Sequence, residues 1–240
     1  MSKKQHLSRL AAPRTWPIPR KGIKWVSKPL PGTNSMAYSL PINVVLRDIL
    51  GIVKTTREVK RFLHTRDILV NNKAISEERF AVGLLDVISI PKLKKHYRII
   101  FTKQGKLNVI TIPESEASTF LLKITDKKQL AKDKIQINLS NGWNILVKKD
   151  TYKTNDVIVL DTKTRKIREH LQFAINNIVY FTRGKHISKV AKLLEVKETG
   201  KLRKQKVAVV ENGKEKWESS IDNLILVGKT KPMIKLTNEN

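Results

Sequence analysis

The sequence predicts an α+β chain assembled from several small modules rather than built on one core, and three observations carry that reading. Helical periodicity is confined to one short region, residues 42–64, of a chain of 240 residues. From Tyr97 onward, short apolar runs alternate with turn signals about every ten residues, as in small β-rich units. Charge is segregated as well, for residues 1–47 hold nine cations and no carboxylate. The expected division is an extended basic arm over 1–39, a two-helix plus hairpin module over 40–91, a central β-rich domain over 92–173, and a small barrel with a C-terminal tail over 174–240.

The arm carries Pro13, Pro17, Pro19, Pro29 and Pro31, which forbid a continuous helix, and it offers Trp16 and Trp25 as anchors. An acid-free segment repels itself in free solution, so it is expected to order on a partner. Next, Ile42, Val45, Leu46, Ile49 and Leu50 fall on one helical face, with Pro41 suited to the first turn and Gly51 as the stop. Thr55-Thr56-Arg57-Glu58 reads as a capping box opening a second helix. That helix places Val59, Phe62 and Leu63 on one face and Arg57, Lys60, Arg61 and His64 elsewhere. A hairpin follows, Ile68-Leu69-Val70 turning at Asn71-Asn72 into Lys73-Ala74-Ile75, because Asn tolerates left-handed backbone. Residues 86–90 form a further strand, ended by Pro91.

Beyond it, strands over 98–102 and 107–112 flank a Gln104-Gly105 turn, and a short helix is expected within 114–123. Strands over 135–139 and 143–147 flank Asn141-Gly142, a strong hairpin signal. The remaining strands are expected at 157–160, 178–181, 190–196, 207–210 and 221–227.

Composition narrows the chemistry. Forty-eight Lys+Arg against 21 Asp+Glu give a formal charge of +27, and the hydrophobic fraction of 40% is enough for real cores. Such self-repulsion opposes compaction unless a polyanion offsets it. The absence of Cys removes disulfides, Cys-ligated zinc and thiol catalysis. The five histidines are scattered without metal-ligand spacing, and the ten glycines form neither a phosphate-binding loop nor a dinucleotide fingerprint. Residues 43–53, the most apolar stretch, are interrupted by Arg47-Asp48 and too short to span a bilayer. No apolar signal core follows the opening charges. The expectation is a soluble intracellular polyanion binder with no catalytic residues, no cofactor, no metal and no small-molecule substrate.

The second helix and its hairpin are the richest constellation. Arg57, Lys60 and Arg61 lie within about one turn of one another, with Lys54 and Arg66 at its ends and Asn72 and Lys73 at the tip of the following turn. Guanidinium groups grip phosphate in bidentate fashion, whereas Lys supplies a looser point charge. Only Glu58 and Asp67 stand nearby in sequence, so local neutralisation is insufficient and binding is the better reading than a solvated face. Trp16 is expected to anchor the arm on its own protein. His64 and His186 read as neutral surface residues, and Trp143 and Trp217 as core. Lys201, Arg203, Lys204 and Lys206 balance evenly between solvation and binding.

With these residues in view, the segment from Leu40 to Ile90 resembles the S-four-type RNA-binding module: two helices, the run ILVNNK, then a late DVI strand. The usual turn there reads Val-Asn-Gly-Lys; here it is Val70-Asn71-Asn72-Lys73, which asks Asn72 for positive φ. The run KQHLSRLAAPRTW at the start and LLDVISI at residues 84–90 are similar to the archaeal and eukaryotic S-four-e family of small-subunit ribosomal proteins. That family places a basic arm first, then the S-four-type module, a central β domain and a C-terminal KOW-type barrel. The KOW resemblance lies in residues 179–190, where the usual second Gly is replaced by Ser188.

The resemblance implies a structural constituent of the small subunit that binds folded ribosomal RNA beside neighbouring small-subunit proteins, in the cytoplasm. It implies RNA contacts by Lys3, Lys4, His6, Arg9 and Arg14 of the arm, by the helix and hairpin cations, and by Arg183, Lys185, His186 and Lys189 of the barrel. The chain stops at Asn240 without the longer basic tail of eukaryotic members, which implies the archaeal type. Two other readings stand beside it. An RNA-modifying enzyme would need a positioned acid after Ile90, and a general nucleic-acid coating protein would not prefer folded RNA over duplex DNA. A membrane-surface role is weakest, since the basic segments lack a strongly apolar opposite face.

Overall fold

The structure, a computed structural model, describes residues 6–32, 34–131, 134–148, 150–199, 205–213 and 215–236. The chain divides into two compact units, the first running to Phe120 and the second from Leu121 to Leu236. Few helices and many antiparallel strands make it a mixed α+β protein.

In the first unit, β1 (His6–Ser8) pairs antiparallel with β2 (Trp25–Ser27). The segment between them is proline-rich and lacks the N–H groups for a regular ladder, so two arginines satisfy its carbonyls. Arg9 is buried and donates to Pro19 O at 3.1 Å and Trp25 O at 3.4 Å. Arg20 donates to the carbonyls of Arg9, Ala12 and Pro13 at 2.6–2.7 Å. Trp16 is fully buried with its indole N–H on Met36 O at 3.1 Å, and Thr15 O accepts from Leu107 N–H at 2.7 Å. Residues 6–32 and 34–39 are therefore tied to their own unit, with side-chain donors replacing the missing backbone ones.

After β3 (Ser39–Pro41), helix α1 (Ile42–Val44) widens into a five-residue π turn, Val45–Ile49, closed by Leu50 N–H on Val45 O at 2.9 Å. Ile42, Val45 and Leu46 are buried as the periodicity predicts, while the extra residue per turn leaves Ile49 and Leu50 half-buried. Helix α2 (Thr56–His64) opens on the expected capping box, with Glu58 N–H on Thr55 Oγ1 at 3.2 Å and Glu58 Oε2 accepting from Thr55 N–H. Val59 and Leu63 are buried, but Phe62 lies on the flank of that face and is 40% exposed. Strands β4 (Leu69–Val70) and β5 (Lys73–Ala74) meet at a turn where both Asn71 and Asn72 adopt positive φ, 48° and 62°.

Strand β6 (Ala81–Gly83) returns to pair with β3, and β7 (Val87–Ile90) enters a five-stranded sheet of order β5-β4-β7-β8-β9, completed by β8 (Lys95–Phe101) and β9 (Leu107–Ile112). This sheet crosses residue 91, where the sequence suggests a module boundary: Val87 pairs with Arg98 and Ile90 with Lys95. Helix α3 (Glu114–Ala117) covers it, and Ala117 packs on Val87, Ile100, Ile110 and Ile112. The buried Arg98 guanidinium reaches Glu116 Oε2 at 2.9 Å and the carbonyls of Glu116 and Thr119.

The long strand β10 (Thr119–Ala131) leads into the second unit. With β11 (Lys134–Leu139), β12 (Asn144–Val147), β13 (Val157–Asp161) and β14 (Ile167–Leu171) it forms a sheet of order β12-β11-β10-β13-β14. The Asn141-Gly142 turn joins β11 to β12 as expected, with Gly142 at φ 75°. A second sheet follows, β18-β17-β16-β15-β19, from β15 (Ile178–Phe181), β16 (Val190–Thr199), β17 (Gln205–Asn212), β18 (Glu215–Ser220) and β19 (Leu224–Gly228). Lys123 of β10 joins the two sheets, its Nζ donating to Ile221 O at 2.7 Å and Leu224 O at 3.0 Å. Burial lowers this ammonium to about 8, against the opposing pull of Asp222.

Candidate nucleic-acid interface

Among the described residues, the cations that the sequence singles out fall in three exposed clusters. On the first, Lys54, Arg57, Lys60, Arg61 and Arg66 are all exposed along α2 and its ends. The two acids nearest in sequence are committed elsewhere. Glu58 is held low by the backbone N–H groups of Lys54 and Thr55, and Asp67 by Lys92 Nζ, at 2.7 Å, and the Thr65 hydroxyl. One acid reaches the helix from farther away: Glu78 pairs with Lys60 at 3.2 Å, and with Glu77, Ser76, Arg61 and His64 they line a groove of about 560 Å³. Lys60 is thus partly neutralised, whereas Arg57 and Arg61 stand free of any ion pair among the described residues.

The helix ends in a Schellman motif, with Asp67 N–H on Phe62 O and Arg66 N–H on Leu63 O. Arg66 occupies the left-handed position at φ 56°, which Gly usually fills. The hairpin that presents exposed Asn72 and Lys73 is held from below. Asn71 Nδ2 donates to buried Asp86 at 2.8 Å, Gly83 N–H donates to its other oxygen at 2.6 Å, and Asn71 Oδ1 accepts from Val87 N–H at 2.9 Å. Burial outweighs these bonds and raises the Asp86 carboxyl to about 6.

The second cluster is the β1–β2 ribbon, where His6 and Arg14 are exposed together with Lys21 and Lys24. Arg9 is not part of it; its guanidinium is turned inward onto backbone carbonyls. Lys3 and Lys4 lie outside the described residues, as do Lys201, Arg203 and Lys204.

The third cluster is the loop between β15 and β16. Arg183, Lys185 and Lys189 are exposed, and both Gly184 and Ser188 adopt positive φ, 88° and 70°. His186 stacks on Trp217 with centroids 4.1 Å apart and planes 13° from parallel, and Lys189 Nζ lies 4.4 Å from the same ring. Burial, Lys189 and Lys185 lower the His186 imidazole, which favours its neutral form. Trp217 is half-buried and supports this loop, and Trp143 is half-buried ahead of β12; neither is the core residue the sequence suggests, since each sits near a turn at a sheet edge.

Sequence reasoning missed the turn after β7, where Lys92, Lys94 and Lys95 are exposed and Lys94 sits at φ 50°. The run Pro-Lys-Leu-Lys-Lys was the available signal. It also reads Trp217 as core, since no local signal places that ring beside His186 and Lys189. Among the described residues no group of three or more His, Asp or Glu side chains is placed to hold a metal ion. No helix among them is long and apolar enough to cross a membrane.

Family models match two parts of the chain: Ribosomal family S4e over residues 93–167 and the RS4NT (NUC023) domain over residues 1–36. The small ribosomal subunit protein eS4 of Methanocella arvoryzae is 37% identical over 96% of this chain and 97% of its own length. The chain belongs to the eS4 family. The eS4 protein of Methanocaldococcus jannaschii is 35% identical over 97% of this chain and 98% of its own length. Among solved structures, the crystal structure of the 30S ribosomal protein S4e from Thermoplasma acidophilum superposes with a TM-score of 0.67 at 25% identity, covering 80% of this chain and 95% of that one. The eS4 family is one of ribosomal structural proteins, not of enzymes.

Proposed function

We propose that this eS4-family chain is a structural constituent of the small ribosomal subunit that binds and stabilises folded ribosomal RNA through basic, non-catalytic contacts, beside neighbouring small-subunit proteins in the cytoplasm. The observation that carries the reading is the near-complete alignment with small ribosomal subunit proteins of archaea, joined to exposed cations that lack local acids. Residues 40–91 supply the S-four-type module, and residues 174–240 the KOW-type barrel, supported by positive φ at both Gly184 and Ser188, where the usual motif carries glycines. The proposed contacts are His6 and Arg14; Lys54, Arg57, Lys60, Arg61, Arg66, Asn72 and Lys73; and Arg183, Lys185 and Lys189, with His186 bracing the last group. Lys3 and Lys4 complete the set from the basic start of the chain.

The mechanism is neutralisation of phosphate crowding where RNA helices meet, with release of condensed counterions at each contact. Sucrose-gradient sedimentation of native lysate tests it. Co-migration with the small subunit through a moderate salt wash supports the reading, and recovery only in light fractions overturns it.

A further inference from the structure

The two N-terminal tryptophans are treated oppositely by the fold. Trp16 is fully buried and its N–H is satisfied by Met36 O, so it anchors the segment. Trp25, nine residues later, leaves half of its surface in solvent, flanked by Ile23 at 70% and Leu10 at 79% exposure. Its backbone is nonetheless fixed: it pairs with Ser8, its carbonyl accepts from buried Arg9, and the carbonyl of Lys24 accepts from Arg9 N–H at 3.0 Å. The indole is therefore an exposed aromatic plate carried on a fixed backbone.

Its surroundings select the occupant. Lys24 Nζ lies 5.0 Å from the ring centroid and the His6 ring 5.9 Å away at 47°. Exposed Arg14, Lys21 and Lys24 make no ion pair among the described residues, and no acid occurs in the sequence before Asp48. Unbalanced cations select a polyanion, and a flat exposed ring selects a flat partner. An unpaired nucleic-acid base on its phosphate backbone is both, whereas an apolar protein surface answers only the second requirement.

We propose that Trp25 is a stacking platform for an unpaired RNA base, with Lys24 gripping the adjacent phosphate and the exposed Lys21 and Arg14 of the same acid-free segment adding to the attraction for the backbone. This rests on the RNA-binding function proposed above and adds that the β1–β2 ribbon distinguishes unpaired from paired RNA. The full chain is titrated, at matched salt, against an RNA hairpin with a loop of unpaired adenines and against a fully paired RNA duplex of the same stem. Trp25→Leu is expected to bind the looped RNA about 10-fold more weakly and Trp25→Phe nearly as well as the parent, with duplex affinity and salt slope unchanged. Both variants fill the same apolar position, so the comparison is independent of small changes in stability. Equal binding of looped RNA by Trp25→Leu and the parent, or an equal loss on duplex, overturns the proposal and assigns the patch to an apolar contact. Failure of the parent chain to bind either RNA overturns the proposed function instead.

Discussion

Asn71 and Asp86, fifteen residues apart, share a buried hydrogen bond of 2.8 Å directly beneath the turn that presents Lys73. Asn71 cannot flip, because its oxygen already accepts from Val87 N–H, so Asp86 must meet it with an acceptor. An Asp86→Asn change turns an amide N–H₂ toward a donor and is expected to cost about 1–3 kcal/mol at neutral pH.

The same carboxyl makes stability pH-dependent. Its folded pKa, raised by burial to about 6, exceeds its unfolded value, so the folded state binds more protons between about 4 and 6 and stability falls as pH rises through that window. Urea unfolding of parent and Asp86→Asn at pH 4.5 and pH 7 is expected to show the larger gap at pH 4.5, by about 2 kcal/mol. A gap that is the same at both pH values refutes the assignment.

Arg66 closes α2 in the left-handed region, a conformation that costs an L-residue about 1–2 kcal/mol. Arg66→Gly is expected to stabilise the protein by about 0.5–1 kcal/mol, seen as a rise in Tm, and to weaken RNA binding several-fold. A variant that gains stability without losing affinity removes Arg66 from the interface.

Arg57 and Arg61 are solvent-exposed, so Arg57→Ala with Arg61→Ala should leave Tm nearly unchanged. If about 8 cations contact phosphate, log K falls with log[salt] at a slope of about −6 to −7 for the parent, and the double variant shortens it by about 1.4–1.8. Salt titrations by filter binding measure both.

Trp217 carries no charge, yet it fixes His186 and Lys189 in one geometry. Trp217→Leu is expected to weaken RNA binding about 5- to 10-fold through the cost of ordering those side chains, with the salt slope preserved and Trp217→Phe recovering most of the loss. A changed slope instead means that a phosphate contact itself was removed.

What could be read in advance follows from distance along the chain. The capping box of Thr55 and Glu58 and the Asn71-Asn72 turn are settled within four residues, and both form as the sequence suggests. Arg9 and Arg20 look like any other cations of a basic arm, and only the folded segment shows carbonyls, left without N–H partners by proline, drawing them inward. Glu78 reaches Lys60 across the groove from eighteen residues away, and Trp217 on β18 reaches His186 in the β15–β16 loop from thirty-one residues away. Phe62 fits the helical period but lies at the edge of a face too narrow to cover it.

The inward turn of Arg9 and Arg20 bears on the order of events in assembly. A segment with nine cations and no acid would ordinarily stay an open coil until RNA arrived, and its ordering entropy would be subtracted from the affinity. Here two of those charges serve as internal hydrogen-bond donors, so the ribbon's shape is set by the polypeptide itself. On the proposed function, residues 6–27 would therefore meet RNA with their backbone shape already set, and the ordering cost of that segment would not be subtracted from the affinity.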